Sequence, residues 1–257
     1  MSPAIVVHVP HASTALPTDV VVPFALTPRE LQAELLAMTD HYTDELFALP
    51  GAQAVMVRFP VSRLVVDPER FVDDAQEPMA ARGMGVIYTR TSDGRLLRAE
   101  PTPDERVTLL TRFYEPHHRS LTSFVSDALE VHGACHVLDG HSFPSVPLPY
   151  ELDQCADRPD VCIGTDPFHT PGWLRDAAVA EFEQLGFRVA VDRPFAGALV
   201  PQPFYGREAR VTALMVELNR GLYMDERTGA KLTAFDDLRT RIEQALLRIT
   251  RSWSARL

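Results

Sequence analysis

The sequence predicts an α/β fold, a sandwich of helices over a mostly parallel sheet, in one domain spanning residues 1–257. Three observations carry this. Short apolar, β-branched runs alternate with longer segments of helical periodicity, the pattern of strands joined by helical crossovers. Two helical segments open on the same signature, Thr27-Pro28-Arg29-Glu30 and Thr102-Pro103-Asp104-Glu105. There the Thr and Glu side chains cap backbone N–H groups reciprocally, and Pro takes the first helical position. Hydrophobic residues make up 46% of the 257, enough for a sizeable core, and no linker divides the chain.

Ala4 to Val9 (AIVVHV) is the first predicted strand and ends at Pro10-His11-Ala12-Ser13-Thr14. His8 lies inside it and is assigned to packing. His11 stands just past its end, where open α/β sheets bind ligands. A helix is expected from Pro28 to about Leu49, with Leu31, Leu35, Met38, Tyr42, Leu46 and Leu49 on one stripe. Asp40 shares a second line with Leu36 and Phe47, so its carboxylate is either on a partly buried face, where it needs a cation, a metal or several donors, or solvated at the helix edge. Ala52 to Phe59 is the next strand. Beyond it Arg63 and Arg70 flank Asp67. A guanidinium fork suits bidentate binding of a substrate carboxylate; pairing with local acids such as Asp67 is the alternative. Residues 71–101 lack periodicity and are read as an irregular excursion, with a hairpin around 86–97. Long loops of this kind often cover sites.

The second Thr-Pro start opens a helix to about His132, kinked at Pro116. His117 and His118 sit at the kink and are read first as satisfied core or surface histidines, with a cleft-facing place for either as the alternative. Cys135 to Leu138 is a short buried strand. It ends in Asp139-Gly140-His141-Ser142, read as a polar turn that gives His141 the same strand-end position as His11. A Pro-rich loop at 144–160 leads to a strand Val161 to Gly164 and a helix from Thr170-Pro171 to about Leu185. A strand Phe187 to Val191 and a turn-rich loop beginning at Arg193 follow. Val211 to Leu218 (VTALMVEL) is the strongest strand and carries Glu217 near its carboxyl end, ahead of Arg220. A Glu in a buried strand is either paired with Arg220 or a base whose pKa burial raises. An amphipathic helix, about Leu232 to Trp253, closes the chain.

The net charge of −10 argues against nucleic acid, which needs a basic footprint. Local arginines can still hold a small anionic substrate. Cys135, Cys155 and Cys162 form no C-x-x-C pair and are expected as reduced thiols of a cytoplasmic protein. No segment reaches the roughly 18 apolar residues of a membrane span, and the start at Met1-Ser2-Pro3 carries no signal peptide.

His11, Asp40 and His141 match the three-ligand set of catalytic zinc, which keeps one position open for water. Such a metal lowers the pKa of the water and polarises a carbonyl oxygen. Glu217 would take the water's proton and deliver it to a leaving amine, while arginines hold an acidic substrate. No H-E-x-x-H and no G-x-S-x-G is present. Ser142 lacks the elbow glycines of a nucleophile and is read as a turn residue.

With these blocks laid out, the chain resembles the N-formylglutamate amidohydrolase (N-formylglutamate deformylase) family over most of its length. The resemblance rests on Pro10-His11-Ala12-Ser13-Thr14, Thr39-Asp40, Ser62-Arg63 through Asp67 and Arg70, and His118-Arg119-Ser120-Leu121. It continues through Asp139-Gly140-His141-Ser142, the loop from Arg193 to Gly197, and Val216 to Arg220 with Leu222-Tyr223-Met224. It implies the three-layer α/β/α sandwich of zinc-dependent carboxypeptidases and deacylases, with a mixed, mostly parallel central sheet. It also implies hydrolysis of N-formyl-L-glutamate to L-glutamate and formate in histidine degradation, with one Zn²⁺ per chain. By position it implies His11, Asp40 and His141 on the metal and Glu217 as general base. Arg63, Arg70, Arg193 and Arg220 would hold the carboxylates of a small acidic N-acyl amino acid. The chain differs from the family pattern at Glu69, where Asn often precedes the Arg. It differs again over 196–201, where a histidine-containing segment is frequent; both places bear on substrate choice. A peptide or peptidoglycan amidase and a non-catalytic binding protein are the competing readings. The first lacks a secretion signal, and the second has no use for four costly polar groups.

Overall fold

A computed structural model describes residues 3–19, 23–51 and 54–256. Its sheet contains β1 Ile5–Val9, β2 Ala54–Arg58, β3 Cys135–Phe143, β4 Val161–Gly164, β5 Val189–Val191 and β6 Val211–Asn219, in the order β2-β1-β3-β6-β4-β5. Strands β2, β1, β3 and β6 are parallel; β4 runs antiparallel to β6, and β5 is parallel to β4. The sheet is therefore mixed and mostly parallel. The helices are α1 Pro28–Met38, α2 Thr43–Leu46, α3 Pro103–Leu109, α4 Glu115–His132, α5 Gly172–Gln184 and α6 Phe235–Ser254. Both expected capping boxes form, at Thr27 with Glu30 and at Thr102 with Glu105.

Strand alternation sorts the core into two layers. Val7, Leu138, Leu214 and Val216 pack with Phe47, α5 and α6 on one side. Val6, Val137 and Ala213 pack with Leu121, Val125 and Ala128 of α4 on the other. Cys135 and Cys162 are buried free thiols. No helix among the described residues is long and apolar enough to cross a membrane.

The structure redraws several expected boundaries. The helix expected from Pro28 to Leu49 is two helices, α1 and α2. Thr39 is extended and Tyr42 left-handed (φ 66°), and the Asp40 N–H donates to His11 O at 3.0 Å. That bond ties the break to the end of β1, so Asp40 lies between helices rather than on one. Strand β3 runs to Phe143, so Asp139-Gly140-His141-Ser142 is strand and not turn. Its partner β6 keeps the ladder going, with His141 opposite Glu217 and Phe143 opposite Asn219. Gly140 is required there because a Cβ would lie 2.8 Å from the Phe47 ring. In place of a simple kink at Pro116, Leu110–Tyr114 forms a turn of π-helix, and the Glu115 N–H reaches back five residues to Leu110 O. The ring of Pro116 offers no N–H to the helix ladder, and the widened turn absorbs that gap. The hairpin expected around 86–97 reduces to one bridge, Arg90 with Leu96, across a turn closed by the Gly94 N–H on Thr91 O. Ala52 and Gln53, the start of the second expected strand, lie outside the described residues.

Candidate active site

Two residues beyond Val6 and Val137, and four beyond Ala213, the α4 side of the sheet turns polar. His8 on β1, Asp139 and His141 on β3, and Glu217 on β6 all follow the alternation of those apolar residues. His8 pairs in register with Asp139, and His141 with Glu217. His11 stands two residues past β1, and the break after α1 brings Asp40 onto it. Asp67 and Glu69 come from the loop after β2. All of these are buried except Glu69, whose side chain is 19% exposed.

The two histidines of the expected metal set have the same surroundings. His11 holds Nε2 2.9 Å from Asp67 Oδ1, and His141 holds Nε2 3.1 Å from Asp139 Oδ1. Both turn Nδ1 toward one oxygen, Asp40 Oδ2, at 3.6 Å for His11 and 3.2 Å for His141. Buried His11 Nδ1 has no hydrogen-bond partner among the described residues. The other oxygen of Asp40 accepts from Arg220 Nη2 at 2.8 Å.

This arrangement fits a divalent cation. Ligands at roughly 2.0–2.2 Å on a tetrahedral ion lie about 3.3 Å from one another, close to both Nδ1···Asp40 separations. Metal-ligating histidines characteristically give their other N–H to a carboxylate, as Asp67 and Asp139 allow here. Five carboxyl groups, those of Asp40, Asp67, Glu69, Asp139 and Glu217, stand among the guanidinium groups of Arg63, Arg70 and Arg220. The sets whose ligand atoms all lie within 4.8 Å of one another are His11, Glu69, His141 and His8, Glu69, Asp139. Among the described residues the carboxylate that completes a set with both histidines is therefore that of Glu69, while Asp40 lies near each Nδ1 but outside those sets.

Burial works against ionising Asp40, Asp67 and Asp139, yet each is held well below the usual carboxylate range. Asp40 is held there by hydrogen bonds from His11 and His141 and by Arg220, Asp67 by Arg63 and His11, and Asp139 by His141 and His8. Burial likewise opposes a charge on His141, but Glu69 and Asp139 outweigh it and hold the imidazole well above its ordinary value. Glu217 goes the other way. Burial pushes its carboxyl up to about 8, with His141 and Arg220 opposing and Asp40 and Glu69 adding to the rise.

The four arginines expected at the substrate divide. Arg63 binds Asp67 through Nη2 at 2.8 Å and touches Tyr88 Oη through Nε at 3.1 Å. Arg70 lies beside the same carboxylate at 3.7 Å, and its buried Nε has no hydrogen-bond partner among the described residues. Arg220 is fully engaged, on Asp40, Ser142 and Ala37 O, and stands behind the metal set. Arg193 is 60% exposed and paired with Asp153 at 2.9 Å, outside the cluster. His118 donates its Nε2–H to Pro68 O, 2.8 Å away. Sequence reading missed Asp67 and Asp139 as the partners of the two histidines, Glu69 as a possible donor, and His8 as part of the site. A signal existed for two of them. Asp139 and His141 are two residues apart, and His8 interrupts an otherwise apolar strand, so all three share the polar face.

The family model for N-formylglutamate amidohydrolase matches residues 3–224. An N-formylglutamate amidohydrolase from Ralstonia eutropha JMP134 superposes with a TM-score of 0.84 at 25% identity, covering 99% of this chain and 95% of that one. A gene product from Agrobacterium tumefaciens shares the fold, with a TM-score of 0.61 at 17% identity over 96% of this chain and 92% of its own. No curated protein matches the chain. The chain belongs to the N-formylglutamate amidohydrolase family.

Proposed function

We propose that this family member hydrolyses the amide bond of an N-formyl or N-acyl amino acid, N-formyl-L-glutamate first among them. It would hold one Zn²⁺ on Nδ1 of His11, Oδ2 of Asp40 and Nδ1 of His141. The observation that carries the reading is the common orientation of the two imidazoles, each with Nε2 on a buried carboxylate and Nδ1 toward Asp40. Imidazole with carboxylate is a donor set that suits zinc. When bound, the ion supplies a water of near-neutral pKa and polarises the formyl carbonyl.

Glu217 is the base in this reading. It neighbours His141 across paired strands, which lie about 4.8 Å apart, and shares its face. Its carboxylate accepts a proton from the attacking water as the new carbon–oxygen bond forms. It returns that proton to the amide nitrogen as the carbon–nitrogen bond breaks, releasing formate and a free amino group. A carboxyl at about 8 is mostly protonated at neutral pH; a dication beside it favours the ionised form. Arg63 and Arg70 hold the substrate carboxylates through guanidinium edges that Asp67 leaves free. Arg220 fixes Asp40. On this reading the enzyme serves the formate-releasing step of histidine degradation, in the cytoplasm, as a single-domain protein.

Formate release over a panel of N-formyl and N-acetyl amino acids, with and without chelator, tests this alongside metal analysis. The expected result is about one Zn²⁺ per chain and chelator-sensitive turnover fastest on N-formyl-L-glutamate. His141→Ala and Asp40→Asn should lose both metal and turnover. Full turnover by metal-free protein overturns the mechanism. Metal retained by Asp40→Asn but lost by Glu69→Gln transfers the third ligand to Glu69.

A further inference from the structure

We infer that His8 and His117 are positioning residues for the metal centre: a buried pair that sets the tautomer of each ring in turn and, through Asp139, aims His141. The inference rests on the metal assignment above. His8 Nδ1 is 2.8 Å from Asp139 Oδ1, and His8 Nε2 is 2.9 Å from His117 Nε2. The same Asp139 oxygen lies 3.1 Å from His141 Nε2, and its other oxygen accepts the Leu199 N–H at 3.0 Å.

Proton counting orders this chain. An ionised carboxylate only accepts, so His8 presents Nδ1–H to Asp139, and His141 presents Nε2–H. Two ring nitrogens at hydrogen-bond distance share one proton, and in the proposed order it sits on His117 Nε2, facing a bare His8 Nε2. His117 is suited to staying neutral, because burial pushes it down to about 2. The series ends with His141 carrying its proton on Nε2 and leaving Nδ1 bare for the metal, the outer-sphere arrangement that fixes a ligating imidazole.

The fold is built around the pair. His117 lies one turn ahead of Leu121 on the buried side of α4, where an apolar residue would satisfy packing alone. The Phe59 ring meets it edge-on at 5.0 Å. The π-helical turn Leu110–Tyr114 immediately precedes it, and such turns recur where a helix must redirect a functional side chain.

The test compares His117→Phe, which keeps bulk, with His117→Gln, whose amide can donate to His8 Nε2. Zinc affinity is measured by competition with a chromophoric chelator, and imidazole tautomers by ¹⁵N NMR of the zinc-loaded protein. The wild type should show Nδ1–H on His8 and Nε2–H on His117. His117→Phe should bind zinc about ten-fold more weakly or worse, and His117→Gln should recover most of the loss. If His117→Phe does not fold, His8→Asn against His8→Leu asks the same question, since the Asn amide still donates to Asp139. Unchanged zinc affinity in His117→Phe, beside its loss in His141→Ala, overturns this inference and leaves the metal assignment standing. A Gln variant as weak as the Phe variant also overturns it, because shape rather than the proton then matters. A wild type that binds no zinc overturns both.

Discussion

His141 and Glu217 face each other across β3 and β6, and their surroundings send their protons in opposite directions. His141 has Glu69, Asp139 and Asp40 around it and keeps its proton. Glu217 lacks a hydrogen-bonded cation among the described residues, so burial dominates and its carboxyl rises to about 8. A base must be ionised to act. Turnover should therefore fall as pH drops through the pKa of Glu217, with the acid limb below about 8 once a cation is bound beside it. A pH profile of kcat reads this directly. Glu217→Gln keeps the shape and removes the proposed base; formate release should drop by about 10²–10⁴-fold, with metal content unchanged. Arg70 faces Asp67 at 3.7 Å without a hydrogen bond from its buried Nε among the described residues, so its guanidinium is not tied down as that of Arg220 is. Arg70→Ala should raise KM for an acidic N-formyl amino acid by roughly 10–100-fold, the worth of one charge-assisted hydrogen bond. It should change KM less for a neutral substrate.

At the scale of elements, the site depends on two interruptions of regular structure. The break between α1 and α2 lets Asp40 leave the helical stripe and hydrogen-bond the end of β1. The stripe still reads as continuous because Leu46 and Phe47 of the second segment pack into the same core as β1 and β3. The extension of β3 past Leu138 carries His141 into register with Glu217, and Gly140 allows Phe47 to press against the strand. Gly140→Ala should lower stability by about 1–3 kcal/mol through overpacking, since Phe47 is itself fully buried. Thermal unfolding measures it, and an unchanged midpoint would show that the ring can move aside.

Across the whole molecule, with its net charge of −10, the sheet keeps its two sides distinct. The α4 side carries the site. The α6 side carries His136, which is fully buried, stacked on Trp253 and bonded to Thr212 Oγ1 at 3.1 Å. Burial pushes His136 down to about 4 from 6.5. Between those values the unfolded chain binds a proton that the folded chain refuses, so stability falls as pH drops from about 6.5 and levels off below about 4. The full loss is about 3 kcal/mol. Unfolding followed against pH should show this slope, and His136→Asn should flatten it.

By itself the sequence determined the layers of this protein, because burial imposes periodicities that a single chain displays. Strands of β-branched residues, helical stripes and two Thr-Pro-x-Glu caps are local signals; both caps form where they were read, whereas the first stripe is divided between α1 and α2. His11, Asp40, His141 and Glu217 were legible as polar groups in apolar stretches, which physics makes expensive anywhere. Tertiary structure alone decided how they relate. The antiparallel course of β4 and β5, the ending of α1 at Met38 and the extension of β3 to Phe143 arise from pairing between segments far apart in the chain. So do the partners of each side chain. Arg193 and Arg220 read alike in sequence, yet one lies outside the cluster with Asp153 and the other is locked behind Asp40. His8 and His117 lie 109 positions apart in the chain, and only the fold brings their nitrogens to 2.9 Å. A hydrogen bond has a direction and a reach of about 3 Å, and neither is encoded in the spacing of residues along a chain.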